Sequence, residues 1–297
     1  MNDLNLIKRP YFWLLMLIAL ISIAITQLPD NHVHIIFCDV GQGDASLITY
    51  KQTQVLIDGG PNNKVIDCLN NHIPFWDREI EMMVLTHPEA DHDTGLSEVV
   101  GKFKVKYFVV NGIVKDNAVF WRLQKEVSDN NIPVFLPKAG DVLKVGDLQF
   151  TVLWPEQKVG NELAWSKIDE NNQQKILGTF AVNDKLNDTG IALELKYGSE
   201  KALFMADISS EVENRLNLED IDILKVAHHG SKFSTGSQFL SLIKPELAVV
   251  SVGKNSYGHP TPETLTRLQN IGVKILRTDQ NGEVDIVCDL NQCQIGK

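Results

Sequence analysis

The sequence predicts an α/β protein, two β-sheets sandwiched between helix layers and preceded by one membrane-spanning helix. Three observations predict it. A strand-rich first third with glycine turns gives way to mixed strand and helix units, that mixture returns after a polar excursion, and the first thirty residues carry an apolar run without charge.

The apolar run is Tyr11 to Leu28, eighteen residues preceded by Lys8 and Arg9. At about 1.5 Å per residue it reaches roughly 27 Å, near the thickness of a bilayer core. A cleaved signal peptide and a buried helix are the rivals, but the exit TQLPDNH offers no small-x-small cleavage site. The expectation is a short cytoplasmic tail over 1–9, an anchor or signal segment over 10–28, and one large domain over 29–297. Because Lys8 and Arg9 precede the span, that domain lies outside the cytoplasm, and it is secreted if the segment is cleaved.

In the domain, HIIFCD (34–39), ASLIT (45–49) and TQVLID (53–58) read as strands joined by glycine turns. A helix is expected over 65–72 and a buried strand over 80–85. A second helix starts at Leu96, capped near Thr94. Strands follow at 107–111, 133–136 and 148–153, around a helix at 119–129. Residues 155–188 are rich in Asn, Gln and Lys and read as an exposed excursion. Strands return at 191–197, 201–205, 223–227 and 248–252, with helices at 209–216 and 262–271.

Net charge is −10. The alternating Lys102, Lys104 and Lys106 read as the outer face of a strand, not a nucleic-acid patch. This balance argues against tight, nonspecific DNA binding, which needs Lys and Arg, but is compatible with a metal-centred nuclease. Cys38 in an apolar strand and Cys68 in a helical stretch read as small buried side chains. Cys288 and Cys293 flank DLNQ, a candidate hairpin turn, and an extracytoplasmic location permits a disulfide there without requiring it.

Four strand ends carry the polar residues of interest. THPEADH crowds His87, Glu89, Asp91 and His92 after an apolar strand. On a tight loop, alternate side chains would point His87 and Glu89 at one metal and Asp91 and His92 at another. Asp207 follows the strand in FMAD, where a carboxylate can bridge two cations. LKVAHHGS places His228 and His229 at another strand end, and strand alternation would put them on opposite faces. NSYGHPTPE sets His259 in a Gly-Pro turn.

DVGQGDA (39–45), LIDGG (56–60), THPEADHDTGL (86–96), FMAD (204–207), LKVAHHGSKFS (224–234) and SVGKNSYGHPTPETLTRL (251–268) resemble, in order, the metallo-β-lactamase-fold domain of the ComEC competence proteins. The resemblance implies an αβ/βα four-layer sandwich with a dinuclear metal site at one end of the sheets. In the family motif H-x-[HD]-x-D-H the matching positions are His87, Glu89, Asp91 and His92; Asp207 matches the bridging carboxylate, and one of His228 and His229 supplies the last ligand. Two departures stand out: Glu89 stands where the family has His or Asp and is one methylene longer than Asp, and Ala206 replaces the usual Gly before Asp207. The family's channel segments are missing, so this chain is not expected to conduct DNA by itself.

A mixed carboxylate and imidazole site suits Zn²⁺ or Mn²⁺. Two such ions would activate a bridging water, with Asp91 accepting its proton and His259 acting as acid or hydrogen-bond donor near the leaving group. The expected function is a phosphodiesterase or nuclease linked to DNA uptake, with single-stranded DNA among its substrates and a DNA-uptake system as partner. The alternatives are a cell-surface phosphodiesterase or lactonase on a non-nucleic-acid substrate, and a non-catalytic binding protein with a degenerate metal site.

Overall fold

The computed structural model describes residues 10–159 and 186–296. Its strands are β1 (Val33–Phe37), β2 (Ser46–Tyr50), β3 (Thr53–Ile57), β4 (Glu79–Leu85), β5 (Lys104–Val110), β6 (Val134–Phe135), β7 (Val142–Val145), β8 (Leu148–Trp154), β9 (Ala192–Tyr197), β10 (Glu200–Phe204), β11 (Ile223–Lys225), β12 (Leu247–Val250), β13 (Lys274–Arg277), β14 (Val284–Cys288) and β15 (Cys293–Ile295). The α-helices are α1 (Pro10–Thr26), α2 (Lys64–His72), α3 (Ala90–Lys102), α4 (Ala118–Asp129), α5 (Ser210–Glu213), α6 (Ser237–Ile243), α7 (Pro262–Asn270) and α8 (Thr278–Asn281).

One sheet has the order β15-β14-β1-β2-β3-β4-β5-β6 and the other β13-β12-β11-β10-β9-β8-β7. Strand alternation builds the layers. In β1, Ile35 and Phe37 face the second sheet while Ile36 faces the helices, so these three successive residues are apolar because both faces of the strand are covered there. Phe37 stacks on Phe204 of β10 across the inter-sheet core, with ring centroids 6.2 Å apart. Leu69, Leu96 and Leu123 of α2, α3 and α4 cover the outer face of the first sheet. Val212, Leu240 and Leu268 of α5, α6 and α7 cover that of the second. The four-layer sandwich is the expected architecture.

Neighbouring strands run parallel from β3 through β6 and from β10 through β13. Their carboxyl ends therefore gather at one edge of the sandwich, where open α/β sheets place their ligand sites.

Several expectations are corrected. The expected membrane span is not supported: α1 has 17 residues, and among the described residues no helix is long and apolar enough to cross a membrane. It stops at Thr26 because Pro29 disfavours helical backbone at Leu28. Cys38 and Cys68 are buried as expected but joined in a disulfide, since Cys38, just after β1, and Cys68 of α2 lie in the same core; Cys288 and Cys293 form a second one across the β14–β15 hairpin. Helix α3 starts six residues before Leu96, so Asp91 and His92 sit in its first turn and not on a loop. Of the polar excursion, residues 160–185 lie outside the described residues.

Candidate metal centre

The centre is built around Asp58, at the end of β3. Its Oδ1 accepts from the Thr86 backbone N–H (2.8 Å), and its Oδ2 accepts from the Thr86 hydroxyl (2.8 Å) and from His92 Nδ1 (2.9 Å). Helix α3 reaches this depth because of Gly95. A Cβ there would lie 2.0 Å from the Gly59 carbonyl oxygen, so only glycine lets the helix press onto the turn after Asp58. The Gly59 N–H then donates to the His92 carbonyl at 2.7 Å.

Three imidazoles are held in the same way. His92 Nδ1–H donates to Asp58. The Thr86 hydroxyl spends its proton on Asp58 and accepts from His87 Nδ1–H at 3.1 Å. His229 Nδ1–H donates to the Ser251 carbonyl at 2.9 Å. Fixing a proton on Nδ1 leaves Nε2 as the atom of each ring that can ligate a metal. Nε2 of His87 and of His92 are buried without a hydrogen-bond partner, as is Asp207 Oδ1. Burying unpaired polar atoms costs about 1–3 kcal/mol each, so several in one place mark a site that fits a cation.

Asp207 is the hub. Its Oδ2 lies 3.5 Å from His92 Nε2, 3.6 Å from His229 Nε2 and 3.8 Å from His228 Nε2. His229 Nε2 is also 3.2 Å from Asp91 Oδ2. The expected opposite orientation of His228 and His229 is corrected: both residues are left-handed (φ 50° and 52°) in a short helical turn after β11, which turns both rings toward Asp207. Ala206 is left-handed too (φ 47°), which explains the family's preference for glycine there and costs about 1–2 kcal/mol.

The field inside this cluster is strongly negative. Burial opposes it, yet Asp207 and Asp58 raise His92 well above the ordinary imidazole range, and Asp207 with Asp44 raises His229 to about 10. Against its burial, Asp207 is held well below the carboxylate range by His229 and His92. Burial, with His92 beside it, pushes His87 down to about 3. A divalent cation at the free Nε2 atoms would satisfy the field that otherwise holds protons there.

Asp44, His92, Asp207 and His229 offer ligand atoms within 4.8 Å of one another. Asp44 approaches from behind, 3.4 Å from His229 Nδ1 and 3.9 Å from His92 Nδ1, and pairs with the buried Lys225. It acts as a supporting charge on the Nδ1 side. Removing either partner of such a buried pair costs about 3–5 kcal/mol. Sequence reasoning missed Asp44, Asp58, Lys225 and Thr86 as site residues. The signal for the two acids was their place in the quoted motifs DVGQGDA and LIDGG, while Thr86 and Lys225 stand in THPEADHDTGL and LKVAHHGSKFS.

Above this floor opens a cavity of about 330 Å³, lined by Gln42, Glu89, Asp91, His228, Tyr257 and His259 among others. Glu89 stands apart from the imidazoles. As the extended residue before α3 it sits on the rim, its Oε1 3.5 Å from Lys115 Nζ. His259 packs edge-on against His228 at 5.4 Å, and burial together with His228 and His229 pushes it below the ordinary imidazole range. Its Nδ1 has no hydrogen-bond partner.

A two-sheet sandwich with histidines and a carboxylate gathered at the strand ends defines a metallohydrolase class, and residues 38–254 match the model of the metallo-beta-lactamase superfamily, to which the chain belongs. The particular relatives carry ComEC-family names. ComE operon protein 3 of Bacillus subtilis (strain 168) is 31% identical over 281 residues, 83% of this chain and 32% of that protein. Competence protein ComA of Neisseria gonorrhoeae is 26% identical over 279 residues, 91% of this chain and 34% of that protein. The chain thus spans about a third of the length of these relatives. Among solved structures, the metallo-beta-lactamase fold protein YhfI from Bacillus subtilis superposes with a TM-score of 0.52 over 86% of this chain and 99% of its own, at 12% identity, a likeness of fold alone.

Proposed function

We propose that this chain is a metal-dependent phosphodiesterase that cleaves nucleic acid, in keeping with the competence names of its relatives. One observation carries the reading: three buried imidazoles, each tied through Nδ1, turn Nε2 toward the cluster around Asp207 on the floor of an open cavity. Asp91, His92, His229 and Asp207 form the fuller donor set. His87 and His228, sharing Asp207, form the sparser one, and Glu89 is left outside both. Divalent ions held there, Zn²⁺ or Mn²⁺, would supply Lewis-acid polarisation of a phosphoryl oxygen and an acidified water. Asp91, on the cavity wall, is placed to accept a proton from that water. His259, kept neutral by its surroundings, donates a hydrogen bond to the scissile group. Asp58 and Asp44 orient the imidazoles from behind.

An extracytoplasmic location of residues 29–297, with a DNA-uptake system as partner, belongs to the same proposal. The two disulfides fit an oxidising compartment. A second reading, a phosphodiesterase or lactonase acting on a small non-nucleic-acid substrate, is favoured by one feature: among the described residues no Lys or Arg lines the cavity. A hydrolysis screen decides, with Mn²⁺ and Zn²⁺ supplied separately against single-stranded DNA, bis-p-nitrophenyl phosphate and a lactone. Turnover of the first two supports the proposal. Turnover of the lactone alone favours the second reading, and no turnover with full metal occupancy leaves a binding protein.

A further inference from the structure

Among the described residues no Lys or Arg lines the cavity, and its rim carries Glu89, with Lys115 beside it. Uncharged contacts along this lining are therefore a source of grip on a substrate beyond its reacting phosphate. Tyr257 lines the same cavity with its side chain 73% exposed. Single exposed aromatics are common on protein surfaces. This one differs in how firmly it is held. Asn255 Oδ1 accepts from the Tyr257 N–H (3.0 Å) and the His259 N–H (3.1 Å), while Asn255 Nδ2 donates to the Gly253 carbonyl (2.9 Å) and the His259 carbonyl (2.8 Å). Gly253 locks the loop from the other side. A Cβ there would lie 2.4 Å from the Gly41 carbonyl carbon, so the loop packs backbone to backbone against the glycine turn that precedes Asp44.

The Tyr257 ring leans on His259, with centroids 5.9 Å apart and planes 33° from parallel; His259 packs on His228, which approaches Asp207. A line of rings thus runs from the rim to the metal floor and ends in a largely exposed aromatic surface. Phe233, at 68% exposed, is comparably bare but does not line the cavity. A rigid aromatic ring presents contact area at low entropic cost, and a nucleobase stacks on such a surface whatever its sequence.

We propose that Tyr257 is a substrate-positioning residue that stacks a nucleobase adjacent to the scissile phosphodiester, making the site selective for single strands whose bases are free. The inference rests on the phosphodiester reading above. It also gives that reading a source of affinity that does not depend on Lys or Arg.

The test is fluorescence anisotropy of the full chain in detergent with Mn²⁺. The probes are a short fluorescein-labelled single strand on a hydrolysis-resistant phosphorothioate backbone and the same backbone made abasic. Tyr257→Ala should weaken binding of the base-bearing strand by about 5- to 150-fold, and Tyr257→Phe by no more than about 2-fold. Neither should change affinity for the abasic strand. Unchanged affinity of Tyr257→Ala for the base-bearing strand overturns the inference, and equal weakening on both strands does so too, because it would mark a merely structural role. A wild-type chain that binds both strands equally overturns stacking while leaving the hydrolase reading in place. One that binds neither overturns the nucleic-acid reading and this inference with it.

Discussion

The floor and the rim of the cavity are built from the same residue types and held in opposite ways. On the floor, His87, His92, His229 and Asp207 are almost wholly buried, and each ring is tied at Nδ1 to a hydroxyl, a carboxylate or a carbonyl. On the rim, the Glu89 carboxylate lies 3.5 Å from Lys115, and among the described residues nothing tethers His259 at Nδ1. Preorganised donors with one free lone pair suit an ion that stays. Loosely partnered groups at an opening suit a substrate that comes and goes. The histidines of THPEADH and of SYGHP therefore belong to different tasks, although in sequence both are histidines in short motifs at strand ends.

The division is broken most severely if His259 proves to be a ligand. As a rim residue, His259→Ala should retain its metal yet turn over a phosphodiester roughly 10²–10⁴-fold more slowly, the usual worth of a proton or hydrogen-bond donor at a leaving group. Metal analysis beside single-turnover kinetics checks it, and loss of metal would move His259 to the floor. A smaller effect sharpens the floor. Asp58→Asn leaves every candidate ligand in place but disturbs the tether of His92, and should weaken metal retention by about 10–100-fold. Titration against a competing chelator measures this, and unchanged affinity would show that the tether is dispensable.

A third comparison sets Asp207 against Glu213, a buried carboxylate outside the site. Imidazoles lower the first, whereas burial raises Glu213 to about 7, only partly offset by the N–H groups of Gly236 (2.9 Å) and Thr235 (2.5 Å). The sign follows from proton uptake. Above its ordinary value of 4.5 the unfolded chain has released this proton while the folded chain still holds it. Stability is therefore lost as pH rises through that window, by roughly 3 kcal/mol in all. Urea unfolding of Glu213→Gln between about pH 5 and 8 should lack that fall. A slope equal to the wild type's would remove Glu213 as its source.

Much of the fold was legible because both sheets are covered on both faces, so short apolar runs such as HIIF and MMVL had to be strands. The helix carrying Asp91 and His92 was placed too late because Asp, His and Gly are weak helix formers. Helix α3 nevertheless begins at Ala90, where acids at Asp91 and Asp93 complement its amino-terminal dipole. His228 and His229 were read as continuing a strand, and two successive left-handed residues leave no mark in a pattern of periodicity. The Cys38–Cys68 disulfide and the Asp44–Lys225 pair join residues 30 and 181 positions apart. Such partners are set by topology, which local spacing does not encode.

Metal content after dialysis is the most direct test of the division between floor and rim. Wild type, Asp207→Ala and Glu89→Ala would be equilibrated with Mn²⁺ or Zn²⁺, dialysed and analysed for bound ion per chain. The expected result is that Glu89→Ala retains what the wild type retains, while Asp207→Ala, without the carboxylate shared by His92, His228 and His229, loses most of it. Full retention by Asp207→Ala, or a loss at Glu89→Ala as large as at Asp207→Ala, would contradict the division.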